Sequence, residues 1–181
     1  MPIPMPIKSF SLVLTAIFLS LTSCQYSKEW KTVVATTNDG KQSFSIKFPA
    51  YMDENKKMEL HESAPVQYFN YFRNIYAIVD DTLGTDIYRK IADKEVVELI
   101  SIVEKPQLLD TAELNINKMP ALMATLTGSV GVDDIVERIY YQLTVVQGKD
   151  RAYRIVIWTW DKNRDKYREE MKQIAQSFTE Q

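Results

Sequence analysis

A single histidine and a single cysteine leave this 181-residue chain almost without soft metal ligands. One cysteine closes no disulfide within the chain and builds no thiolate cluster. His61 has no second histidine with which to share a metal. Glycine is scarce, five in all, and none belongs to a Gly-x-Ser-x-Gly elbow, the strained turn that exposes a hydrolase serine. Neither charge dominates: 22 basic side chains stand against 24 acidic ones. That balance speaks against a nucleic-acid surface or a polybasic membrane patch. There is no internal repeat and no low-complexity tract. The longest apolar run, Ser9 to Leu21, is too short to cross roughly 30 Å of hydrocarbon as a helix.

That run is nevertheless the most informative stretch of the sequence. Lys8 is the only charge before residue 24 and occupies the place of a signal peptide's positive n-region. Phe10, Leu12, Val13, Leu14, Ile17, Phe18 and Leu19 follow as its apolar h-region. Leu21-Thr22-Ser23-Cys24 closes it, with small residues where a peptidase needs room. An ordinary secretory signal with a chance cysteine and an N-terminal membrane helix are the alternative readings, and neither accounts for the cysteine at the end of the run. The tetrapeptide closely resembles the lipobox of bacterial lipoproteins. The resemblance implies a signal peptide over residues 1–23, a diacylglycerol on the Cys24 sulfur and an acyl chain on its new amine. Several chains are needed because each buried CH₂ contributes only ~0.8 kcal/mol. No other cofactor is expected. In enteric bacteria an Asp after the lipid cysteine favours the inner membrane, so Gln25 favours the outer one. Residues 24–30 make a short tether, and Lys28-Glu29 in it reads as solvated chain.

Residues 31–181 read as one α+β domain, long enough for a proper core. Thr32–Thr36 and Ser43–Phe48 form a hairpin about Asn38-Asp39-Gly40-Lys41, with Phe44, Ile46 and Phe48 on its dry face. Met52–Lys57 is a polar loop or short helical turn, and Met58–His61 a short strand. Val66–Phe72 and Ile75–Asp80 form a second hairpin bent at Arg73-Asn74. Thr85 and Asp86 lead into a helix whose apolar positions are Ile87, Ile91, Val97, Ile100 and Val103, ended by Pro106. Asn115–Pro120 is a turn, Ala121–Thr127 a strand and Gly128–Asp134 a flexible connection. Ile135–Val146 and Ala152–Trp160 are strands. The second is apolar on both faces and therefore central and covered. Asp161 caps a last helix that buries Tyr167, Met171, Ile174 and Phe178.

Three local cues carry a family likeness: Phe44-Ser-Ile-Lys-Phe-Pro49, Asn115-Ile-Asn-Lys-Met-Pro120-Ala, and a closing helix that ends in Gln176-Ser-Phe178. With the element order, they make residues 31–180 look like the PsbP-like fold. That fold is shared by extrinsic proteins of the oxygen-evolving complex, DcrB-type bacterial lipoproteins and Mog-type Ran-binding proteins. The resemblance implies an antiparallel sheet of about six strands flanked by helices on both sides, an α/β/α sandwich. It implies binding or assembly roles and no shared chemistry.

Catalytic and metal sites are not expected. Asp80-Asp81 and Asp133-Asp134 are oxygen pairs able to meet a hard cation, but strand-end acids are more often solvated. A hydrolase needs His61 in one cleft with Ser63 and an acid. Aromatic side chains are abundant on the strands, and most must be core. Those left exposed among Tyr68, Phe69, Tyr71, Phe72, Tyr76, Tyr140, Tyr141, Trp158 and Trp160 are the candidate contact surface, with Tyr68, Tyr71, Tyr140, Tyr141, Trp158 and Trp160 foremost. Tyr140 and Tyr141 are adjacent in a strand and face opposite ways. The sequence thus leads to a non-catalytic envelope lipoprotein, held to a membrane by its lipid and binding a protein partner. The alternative is a carrier or sensor of a small apolar ligand or lipid, which needs an apolar cavity of a few hundred Å³.

Overall fold

Period-two alternation decides the first hairpin, and the computed structural model shows it as read. The model describes residues 29–55, 60–84, 88–132 and 135–181. The signal stretch, Cys24, the tether to residue 28, the first half of the expected Met58–His61 strand, the Thr85-Asp86 lead-in and Asp133-Asp134 lie outside the described residues.

The strands are β1 (Trp30–Thr36), β2 (Ser43–Pro49), β3 (Asp53–Glu54), β4 (Val66–Asn70) and β5 (Ile75–Leu83). Helix α1 (Tyr88–Ser101) follows, then β6 (Glu104–Ile116), β7 (Met119–Val132), β8 (Ile135–Gln147) and β9 (Arg151–Trp160). Helix α2 (Arg164–Gln176) and the short β10 (Thr179–Glu180) end the chain. Pairing is antiparallel throughout, in two sheets ordered β1-β2-β10 and β3-β4-β5-β9-β8-β7-β6. The single sheet of about six strands is thus a seven-stranded sheet with a separate three-stranded one beside it.

β9 runs through the large sheet with apolar residues on both faces, as its sequence requires. Tyr153, Ile155 and Ile157 join a core with Phe44, Ile46 and Phe48 of β2 and Tyr167, Met171 and Ile174 of α2. Val156 and the half-buried Trp158 join a second core with Leu143 of β8 and Ala92 of α1. Each fully buried Phe, Ile or Met contributes roughly 1.5–3 kcal/mol. Phe178 closes the first core: its ring lies 4.7 Å from Tyr153 and 5.6 Å from Phe44, so three distant segments meet at one ring. Phe48 stacks on Tyr68 at 4.4 Å and ties the small sheet to β4.

Several local expectations are corrected. Asp161 opens a 3-10 turn, Asp161–Asn163, and α2 starts one turn later. α1 ends at Ser101 and packs through Tyr88, Ile91, Ala92, Val96 and Leu99, which follow one helical stripe. Val97 falls off that stripe and is 64% exposed. Val103 lies past the helix end, buried against Gly128. There a Cβ on Gly128 would come within 2.4 Å of the Val103 side chain. The glycine therefore marks a close approach inside β7, and residues 128–132 of the expected flexible connection are the end of a long strand. Pro106 does not end the helix. It sits in β6, at the sheet edge and at a register shift, where its missing N–H costs no ladder bond. The expected turn at Asn115–Pro120 narrows to Asn117-Lys118, both with positive φ (48° and 72°), the backbone of a tight two-residue hairpin.

Candidate functional site

Strand register aligns four rings across the large sheet. Phe69 of β4 pairs with Tyr76 of β5, Tyr76 with Trp158 of β9, and Trp158 with Tyr141 of β8. Tyr76 and Trp158 are stacked at 5.4 Å, and Trp158 lies 6.3 Å from Tyr141. Tyr71 extends the row from the hairpin tip, 4.5 Å from Phe69. α1 packs chiefly on β6, β7 and β8, at the far end of this row. Phe69, Tyr76 and Trp158 are consequently left half-buried. A half-covered row of amphipathic rings is the surface type that binding interfaces favour.

Between α1 and the sheet the row opens into a cavity of about 340 Å³. Ile78, Leu99, Tyr141, Val156 and Trp158 form its apolar walls, while His61, Glu95 and Arg154 stand at its polar side. Arg154 organises that side. It donates to Glu95 at 2.5 Å, to Asp80 at 3.0 Å and to His61 Nε2 at 3.0 Å. A guanidinium can only donate, so Nε2 is the acceptor in that contact. Nδ1 is the nitrogen 3.3 Å from Ser63 Oγ, and the Ser63 hydroxyl in turn lies 3.4 Å from Asp80. The Ser63 N–H also donates toward the same nitrogen, at 3.4 Å. Serine, histidine and acid do therefore cluster, but in the wrong order for a triad. The acid, Asp80, addresses the serine, whereas a triad acid orients the histidine.

Asp81 and Asp39 are held by the second arginine of β9. Arg151, 1% exposed, meets Asp39 through two bonds (Nη1–Oδ1 3.1 Å, Nη2–Oδ2 3.2 Å), Asp81 at 3.0 Å and Asp150 at 3.1 Å. Hydrogen bonds from Arg151, then Thr37 and the Lys41 amide, hold the Asp39 carboxyl far below the usual carboxylate range. The same pairing pushes the Arg151 guanidinium up. Asp80 and Asp81 thus each face an arginine, and no cluster of three metal-binding side chains exists among the described residues.

The sequence-derived contact residues separate on burial. Tyr68 and Tyr140 are core, which removes them from any open surface; burial pushes both hydroxyls up. Tyr140 and Tyr141 do join different cores, yet neither ring is wet: Tyr140 is buried in the cluster that holds Tyr167 and Met171, Tyr141 in the one that holds Ala92. Tyr141 still forms a wall of the cavity. Tyr71 is 46% exposed, and Trp158 and Trp160 are half-buried. Phe69 and Tyr76, two of the strand aromatics from which the contact surface is drawn, complete the site together with Arg154, which no sequence motif marks for it. Arg154 was visible in principle, since alternation puts it on the same face of β9 as Val156 and Trp158.

No family model matches the sequence, and no curated protein does. Solved structures do match in shape. Cyanobacterial PsbP (CyanoP) from Synechocystis superposes with a TM-score of 0.58 at 15% identity, over 88% of this chain and 98% of that one. The Saccharomyces cerevisiae Ran-binding protein Mog1p gives 0.58 at 12%, over 84% and 96%. LpqN of Mycobacterium tuberculosis, involved in cell envelope biogenesis, gives 0.54 at 13%, over 84% and 91%. At these identities the likeness establishes the fold alone, which is PsbP/Mog1-like. Among the described residues no helix is long and apolar enough to cross a membrane.

Proposed function

We propose that this chain is a lipid-anchored cell-envelope protein whose domain works by binding and performs no chemistry of its own. Cys24 carries the lipids, Gln25 directs the protein to the outer membrane, and residues 24–30 hold the domain close to the bilayer. The helices cap the two faces of an α/β/α sandwich and leave the Phe69–Tyr76–Trp158 row for a protein partner. That half-open row carries the reading. Its support is chemical: rings with a polar edge, fixed by cross-strand stacking, give contact area at little cost in side-chain entropy. The roles of the similar structures, a Ran-binding protein and an envelope-biogenesis protein, are in keeping with it. Crosslinking in intact cells followed by affinity purification tests the proposal. One envelope partner should copurify with the wild type and be lost with Trp158→Ala; a chain that stays alone in both would refute it.

The cavity favours a second reading, a carrier or sensor of a small apolar molecule or lipid. A space of about 340 Å³ with apolar walls and one polar side suits such a ligand. Native mass spectrometry of the protein released gently from membranes should then show a bound small molecule. Its absence would leave protein docking as the role of the row.

A further inference from the structure

Phe72 is the most exposed large apolar side chain described, at 99%, and it sits on a turn built to hold it there. Tyr71–Arg73 is a single 3-10 turn. The Asn70 side chain caps it, accepting from the Arg73 N–H at 2.9 Å and donating to the Tyr51 carbonyl at 2.6 Å. Asn74 closes it in the left-handed region, and the Arg73 guanidinium lies over the Tyr51 ring at 3.9 Å. An ordered tip thus presents a bare phenyl ring, a partly exposed Tyr71 and a guanidinium side by side.

The chain enters the fold at this same end. Glu29 accepts a hydrogen bond from the Ala50 N–H at 2.7 Å, and the next residue, Tyr51, is the one that holds Asn70 and Arg73. Strand direction agrees. The β1–β2 turn with Asp39 is bound to Arg151, opposite Leu83 at the far end of β5, whereas Ile75 begins β5 beside the tip. Cys24 precedes Glu29 by five residues, which reach at most about 17 Å when extended. A lipid on Cys24 therefore keeps the bilayer within roughly that distance of the end that displays Phe72.

We infer that the β4–β5 tip, Tyr71-Phe72-Arg73, inserts into the same lipid surface that holds Cys24 and so fixes the orientation of the domain. This rests on the lipid-anchor reading above. Phe72 enters the acyl boundary, Tyr71 lies at headgroup level and Arg73 meets lipid phosphates, the usual division of labour at an interface. The three-point contact turns a loose tether into a defined stance, with the β1–β2 turn pointing away from the membrane.

The test uses full-length lipidated protein in vesicles of phosphatidylethanolamine and phosphatidylglycerol. Cys24 is the one native cysteine and is blocked by its lipid, so Phe72→Cys or Lys41→Cys takes a single nitrobenzoxadiazole label. Lys41, on the far β1–β2 turn and 78% exposed, is the control. The label at position 72 should emit at shorter wavelength and be quenched by acyl-chain nitroxides, with position 41 unaffected and the unfolding midpoint of Phe72→Cys unchanged. Water-like emission at both positions, on protein still held by its lipid, overturns the inference and leaves the anchor standing; the tip then faces a protein or solvent. Two labels per chain would mean a free Cys24 thiol, and the anchor reading would fall with the inference.

Discussion

Arg151 and Asp39 are 112 residues apart and joined by two parallel hydrogen bonds of 3.1 and 3.2 Å. The pair locks the β1–β2 turn of the small sheet onto the far end of β9 in the large one. Arg151 also serves Asp81 and Asp150, so one buried guanidinium bridges three carboxylates. Replacing it with Met keeps the volume and leaves those acids facing one another. Arg151→Met should cost about 3 kcal/mol of stability, read from chemical denaturation.

The depressed Asp39 carboxyl sets an acid limit. A group whose folded pKa lies below its unfolded value stabilises the fold fully above the unfolded value, about 4 for Asp. The contribution is lost as pH falls beneath that toward the folded value. The unfolding temperature of the wild type should exceed that of Asp39→Asn at pH 6, and the gap should narrow below about pH 4. A gap constant with pH would show that the carboxylate charge is not what Arg151 recognises.

Gly128 supplies a packing test. Its missing Cβ admits Val103, so Gly128→Ala must push the α1–β6 connection off the sheet. The expected loss is about 1–3 kcal/mol, typical of overpacking. The double substitution Gly128→Ala with Val103→Ala should recover part of it, measured by thermal unfolding of both variants.

Cavity and ring row can be separated by substitution. Leu99→Trp fills the space beneath α1 and leaves Phe69 and Tyr76 as they are. It should abolish uptake of a small apolar ligand without weakening a protein partner. Trp158→Ala should weaken a docked protein by about tenfold or more, the range of an aromatic hot spot. Calorimetric titration of each variant with the copurified partner or ligand tells the two roles apart.

Much of the architecture was legible because alternation is local. Phe44, Ile46 and Phe48 announce a half-buried strand by themselves, as Tyr167, Met171 and Ile174 announce a helix stripe. β6 left no such mark. It is the edge strand, exposed along most of its length, and neither face imposes a pattern. β7 was cut short because its glycines read as flexibility, when Gly128 is a contact point for Val103. The site was hardest to see. Tyr76 and Trp158 are stacked by a β5–β9 register that no window of the sequence contains, and the arginine that meets His61 Nε2 lies 93 residues from it.

The picture of a binding domain held at a membrane depends on what is attached to Cys24. Intact-mass spectrometry of the chain extracted from native membranes measures this directly. The expected species begins at Cys24 and carries the mass of a diacylglycerol and an amide-linked acyl chain. A soluble chain that begins at Met1 with a free Cys24 thiol would contradict the account at its base.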